Sequence, residues 1–333
     1  MNGKTLARPM RCIFCLNPDP PSGFSDEHVF PEAVGGTLVV RFVCKECNSR
    51  LGHSVDTTVT NHTLIGIARK ALGIAGKSGS IPNPLERAVM EADSSHKVRF
   101  DFAKRSPESI YTIPFVQRTQ TGPGRGNLSV RIDATDADQL GNIVNRALAR
   151  AGAPPVSAQE IEELKKNVVR QEQPRLSIPV SLDLSQYRRG LMKIVYELAC
   201  YWIGESYVDD PMAGLLRQFT FDESLPFDPS QRYPIRGTMR MSPKEPFMPF
   251  WPDERDHLIA LMLNRGDLGI HVSVLGVLDA CVAITDSPEK YAHCEQRFIS
   301  IDPRTGLTRE STFEKEAGRI CDLENGNESD EAG

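Results

Sequence analysis

Four cysteines stand in two CxxC pairs, Cys12-Ile13-Phe14-Cys15 and Cys44-Lys45-Glu46-Cys47, inside the first 50 residues. Two such pairs supply the four soft donors that a tetrahedral zinc ion takes at about 2.3 Å, provided the chain doubles back between them. Redox chemistry is the competing reading, but thioredoxin-type motifs use one CxxC at a strand-to-helix junction rather than two facing pairs. Between the pairs lies Asp26-Glu27-His28-Val29-Phe30-Pro31, and the second pair runs directly into Asn48-Ser49-Arg50. An imidazole titrating near 6.5 beside a carboxylate can serve as a general base at neutral pH. The remaining cysteines, Cys200, Cys281, Cys294 and Cys321, are scattered singly and read as small buried apolar residues.

The elements that must position these groups follow from the 28 residues between the pairs. A short strand near Val29, a turn at Gly35-Gly36, a strand from Leu38 to Val43 and a helix opening at the second CxxC bring the cysteines together. The unit is a β-hairpin followed by a helix, clipped at its base by zinc. Too small to bury much core, it takes essential stability from the metal.

With these residues in this order, the segment resembles the HNH endonuclease family, in the subgroup written CxxC, EHxxP, GG, CxxCN. The resemblance covers about residues 11 to 56, roughly one seventh of the chain. It implies a zinc-clipped ββα-metal (His-Me finger) module in which His28 is the general base. It further implies that Glu27 and Asn48 ligate a catalytic Mg²⁺ or Mn²⁺, for which carboxylate and amide oxygens are suitable hard donors. Arg41, Lys45 and Arg50 flank the site and are candidate phosphate contacts. Family products carry 5′-phosphate and 3′-hydroxyl ends. One position departs from the pattern: many members carry an Asn about five residues before the second CxxC, where it helps fix the segment bearing the base, and this chain has Val39. Asp26 reads as a turn residue, His53 and Asp56 as lesser ligand candidates, His62 as a helix-surface residue, His257 and His271 as structural. His293 beside Cys294 is a metal pair without partners.

The chain has 333 residues, 40% of them hydrophobic and 25% charged, with a net charge of −5. This excludes a disordered chain and a fibre, and no apolar run approaches the ~18 to 20 residues of a bilayer helix. No apolar segment follows the basic N-terminus, so a cytoplasmic location is expected. The first 60 residues balance six basic against six acidic side chains, so any nucleic-acid site is a local patch there.

Beyond the module, a helix is predicted over 57–75 and a linker over 76–84. Strands are predicted at 97–102, 111–116 and 127–132. The Gly122–Gly126 loop imitates a phosphate-binding motif, but with no third glycine or following helix it reads as a hairpin. Capping boxes at Thr135/Asp138 and Ser157/Glu160 open two helices. A strand at 175–182 precedes the strongest helix, 185–204, whose Leu191, Ile194, Val195, Leu198, Ala199 and Trp202 form one buried face. An irregular Pro-rich stretch, 226–252, leads to strand-like runs at 257–264, 269–275 and 278–285. The acidic end reads as a tail.

The expected fold class is α+β: an HNH module at 1–76, a mixed α+β domain of unknown type at 77–320 for recognition, sensing or homo-oligomerisation, and a tail at 321–333. The expected function is a metal-dependent endonuclease on double-stranded DNA, and by architectural analogy one suited to bacterial defence against foreign DNA. The alternative is a catalytically inactive zinc-stabilised module binding nucleic acid or protein.

Overall fold

A computed structural model describes residues 11–76, 79–101, 110–122, 125–166, 169, 175–180, 182–222, 235–241, 256–264 and 266–319. Near its start, β1 (Phe24–His28) pairs antiparallel with β2 (Val39–Cys44), and α1 (Lys45–Ser54) follows without a break. The hairpin turn carries a short 3₁₀ segment, Glu32–Val34, closed by Gly35 in the left-handed region at φ 86°. The glycines of this turn are required by space. A Cβ at Gly36 would stand 2.1 Å from Phe30 O, and one at Gly35 would stand 2.4 Å from Pro303 O. The ββα unit expected from the cysteine spacing is therefore present: β2 lies one residue beyond its expected bounds, α1 opens at the second CxxC, and the first strand ends one residue before Val29.

The helix predicted over 57–75 divides into α2 (Asp56–Thr60) and α3 (Thr63–Leu72), because His62 adopts extended backbone between them. The chain then leaves for a separate unit. Contacts group residues 83–181 as one compact unit, and residues 1–82 with 182–333 as the other. The N-terminal ββα module thus shares its unit with the last part of the chain, and a boundary at residue 76 with a single 77–320 partner does not describe the packing.

The inserted unit contains β3 (Arg87–Met90), β4 (Asp93–Phe100), β5 (Ile110–Thr112), the hairpin β6 (Phe115–Gly122) and β7 (Arg125–Arg131), and two helices, α4 (Leu140–Ala149) and α5 (Ala158–Lys166). The Gly122–Gly126 segment joins two antiparallel strands, as its hairpin reading requires. At Ser157 the capping box forms reciprocally: Ser157 N donates to Glu160 Oε2 (2.7 Å) and Glu160 N to Ser157 Oγ (3.3 Å). At Thr135 it does not. Asp133 is the cap there, accepting from Thr135 N at 3.0 Å, and a 3₁₀ turn over Ala134–Gln139 precedes α4. The strand expected at 175–182 is reduced to β8 (Leu176–Ser177), on the edge of the sheet β5-β4-β3-β8.

In the main unit, α6 (Leu184–Ile203) follows an Asp183 cap and α7 (Pro211–Phe221) an Asp210 cap. Then β9 (Gly237–Met241), β10 (His257–Asn264), β11 (Asp267–Val274), β12 (Leu278–Ala283), β13 (Arg297–Ile301) and β14 (Thr308–Thr312) form an antiparallel sheet in the order β14-β13-β10-β11-β12-β9. The meander β10-β11-β12 matches the three strand-like runs of the sequence. Strand β9 lies inside the Pro-rich stretch read as irregular, most of which lies outside the described residues, as do residues 320–333.

One apolar core joins the halves of this unit, running from Ile13, Phe30 and Leu51 through Leu191 and Leu198 to Ile259, Ile270 and Ile299. Helix α6 is buried almost all round, its charged Arg189, Lys193 and Glu197 included. It approaches α2 closely: a Cβ at Gly190 would meet Val59 Cγ2 at 2.2 Å. No described helix is long and apolar enough to cross a membrane.

Candidate active site and zinc centre

Sulfur geometry comes first. The Sγ atoms of Cys12, Cys15, Cys44 and Cys47 all lie within 4.8 Å of one another, and Cys15 Sγ is 3.8 Å from Cys44 Sγ. A regular tetrahedron with metal–sulfur bonds of about 2.3 Å has an edge of about 3.8 Å, so the donor set fits zinc. Cys44 is also the N-cap of α1, its Sγ accepting from Cys47 N at 3.5 Å. Hydrogen bonding with Cys47 holds the Cys12 thiol down to about 4, and the same bond pushes Cys47 up. Among the described residues this is the one group of three or more Cys, His, Asp or Glu donors close enough to share a metal.

Alternation along β1 sorts the next three residues. Asp26 is exposed, Glu27 is buried and His28 is half-buried, so consecutive side chains take opposite faces. The hairpin carries a bulge beside Asp26: Ser25 pairs with Val43 but Glu27 with Val40, leaving one extra residue on β2. Asn48, one turn into α1, closes against this irregularity. Its Nδ2 donates to Asp26 O (2.7 Å) and to Ser25 Oγ (3.0 Å). A carbonyl can only accept, so the amide nitrogen must face the strand, and the amide oxygen makes no hydrogen bond among the described residues.

Glu27 enters the interior. It is 2% exposed, with Oε1 2.6 Å from Lys193 Nζ on α6. Lys193, fully buried, also stands 3.3 Å from Asp56 Oδ1 and 3.4 Å from Glu197 Oε2. It donates to His28 O at 2.5 Å and to Val29 O at 3.3 Å. Burial pushes the Glu27 carboxyl up from its ordinary value and Lys193 pulls it back in part. For Glu197, burial dominates and raises it strongly. Three carboxylates, those of Glu27, Asp56 and Glu197, thus surround one buried ammonium.

The candidate phosphate contacts separate as well. Arg41 is committed to Asp26, Nε to Oδ1 at 2.7 Å, and the Arg50 guanidinium lies 4.1 Å from the centre of the Phe221 ring. Exposed Lys45 makes no ion pair among the described residues. His53 is exposed at the far end of α1, while His62 is buried against the Tyr187 ring at 5.1 Å rather than lying on a helix surface.

Sequence reasoning did not find Lys193, Glu197 or His257 as partners of this site. His257 Nε2 lies 2.9 Å from Val34 O, in the turn of the hairpin, and its ring stacks 4.5 Å from that of Phe30. The signal for the first two was the i, i+4 stripe Arg189, Lys193, Glu197 on a helix whose other faces are apolar.

The ββα unit thus joins a four-cysteine cluster that fits zinc to an imidazole at the end of its first strand and an amide in the first turn of its helix. Residues 12–64 match the family model described as HNH endonuclease. No curated protein and no solved structure matches the chain. Enzymes of the HNH family act on nucleic acid.

Proposed function

We propose that the protein is a metal-dependent endonuclease that hydrolyses phosphodiester bonds in double-stranded DNA, with a structural zinc and a catalytic Mg²⁺ or Mn²⁺. The observation that carries this reading is Asn48: its nitrogen is fixed on β1 beside the His28 strand end, so its oxygen is the atom left for a hard cation. Magnesium keeps several waters and binds through one or two protein oxygens plus substrate phosphate, so a full protein cage is not needed. Asn48 is one such oxygen; Glu27, whose Oε1 is on Lys193, offers its second carboxylate oxygen as the other. When bound, the ion supplies charge stabilisation at the scissile phosphate and the leaving 3′ oxygen. His28 takes the proton from the attacking water, and exposed Lys45, which makes no ion pair among the described residues, holds a neighbouring phosphate. Defence against foreign DNA is the setting this architecture suits.

Plasmid cleavage by zinc-loaded protein, with Mg²⁺, Mn²⁺ or EDTA, tests the reading beside His28→Ala. Cutting is expected with either ion and to be lost in EDTA and in the variant, with zinc content unchanged because His28 is not a zinc donor. One observation favours a second reading, an inactive binding module: Glu27 is already neutralised by Lys193. DNA binding equal in wild type and variant, with no cleavage by either, establishes that alternative.

A further inference from the structure

Val39 is the cross-strand partner of His28, with 37% of its surface exposed. It stands where the resemblance places an Asn that fixes the segment carrying the base, and its side chain offers no polar atom for that task. From the other side of the strand, Lys193 reaches two consecutive carbonyls at the end of β1, His28 O and Val29 O, while Glu27 Oε1 holds the same ammonium at 2.6 Å. An ammonium has three protons, and these three acceptors lie on adjacent residues of one strand. Rotation of the His28 peptide breaks a charge-assisted hydrogen bond in a fully buried site.

We propose that Lys193 is the positioning residue of the general base: from α6 it clamps the backbone on which His28 is mounted, in place of the absent Asn. Asp56 Oδ1 and Glu197 Oε2, 3.3 and 3.4 Å away, keep the ammonium over the strand end. The inference rests on the nuclease reading for its kinetic consequence, though not for the clamp itself. The base is thereby set by a residue more than 160 positions away in sequence.

The test uses the full chain. Lys193→Met alone would leave carboxylates without a counter-charge, so the variant is Lys193→Met/Glu197→Gln, which removes one charge of each sign. Four readouts are taken: zinc content, kcat and KM for plasmid cleavage, and amide exchange over residues 26–31. With zinc retained, kcat should fall about 100-fold, the loss that follows from misplacing a reacting group by about 1 Å. KM should stay within about threefold, because phosphate contacts are untouched, and exchange at 28–30 should accelerate. Adding Val39→Asn should recover at least about a tenth of wild-type kcat, which general destabilisation would not allow. Unchanged kcat and exchange overturn the proposal; so does loss of zinc, which would make Lys193 a folding residue. If wild type cuts no substrate, the nuclease reading fails separately, and exchange alone decides the clamp.

Discussion

Acid should loosen the hairpin turn through His257. This ring is fully buried in β10, with Nε2 2.9 Å from Val34 O and Nδ1 3.3 Å from Leu275 N. A carbonyl requires a donor and an N–H requires an acceptor, so the ring is the neutral Nε2–H tautomer with both nitrogens satisfied. A second proton would sit on Nδ1, facing the Leu275 N–H. Burial accordingly lowers His257 from 6.5 to about 4. The unfolded chain then binds more protons between these values, so stability is full above pH 6.5 and falls as pH drops towards 4. A gap of about 2.5 pH units at 1.36 kcal/mol each gives a loss of about 3 kcal/mol. The assay is chemical denaturation from pH 7.5 to 4 in wild type and His257→Gln. The variant should be about 1 to 3 kcal/mol less stable at pH 7.5, through lost packing on Phe30, yet flatter below pH 6.5. His62, also lowered by burial, contributes the same slope to both proteins and cancels. Parallel curves would refute the argument.

Gly36→Ala should cost about 1 to 3 kcal/mol or more, since its Cβ would meet Phe30 O at 2.1 Å. Gly52→Ala, in α1 with nothing within 4 Å, should be neutral or stabilising by up to about 1 kcal/mol; paired thermal melts check both. Cys47→Ser should lose zinc and lower the melting temperature. A strong chelator should reproduce the effect in wild type, and proton uptake should accompany metal loss, as measured by a zinc assay and pH-stat titration. Residues 1–76 alone should fail to give a cooperative melt even with zinc, because Phe14, Phe30 and Val59 lose Tyr196, His257 and Gly190 as neighbours. A sharp melt of that fragment would contradict this.

The zinc centre and the ββα frame were legible because their determinants are local: the cysteines lie at the hairpin's base and the helix start, and the two glycines sit where only glycine fits. Helix α6 and the β10–β12 meander were legible from period alone. The insertion of 83–181 was not, since no feature of a linear pattern says that a strand near residue 257 returns to a turn near residue 34. Lys193 was hidden for a related reason. A lysine in an amphipathic helix reads as solvated, and only a helix buried on every side turns it inward. At Thr135 the local pattern misled: Thr135 with Asp138 satisfies the capping spacing, but Asp133, two residues earlier, reaches the same N–H first.

What the long C-terminal part does for a module of this size can be argued from where it touches. Three features of the module are the four-cysteine cluster, the strand end bearing His28 and the glycine turn. Each has a partner beyond residue 182. Tyr196 donates to Ile13 O between the first two cysteines. Lys193 holds the strand end, and His257 and Pro303 hold the turn. Two of these partners lie on α6, one turn apart, so one helix holds both the segment between the first two cysteines and the strand end bearing His28. A free-standing zinc hairpin buries too little to fix a catalytic side chain to a fraction of an ångström. Packing it into the core shared by α6 and the large sheet supplies that rigidity. The buried groups of Lys193, Glu27 and Glu197 then mark the point where α6 meets the hairpin, polar groups that the core tolerates because each has a partner there.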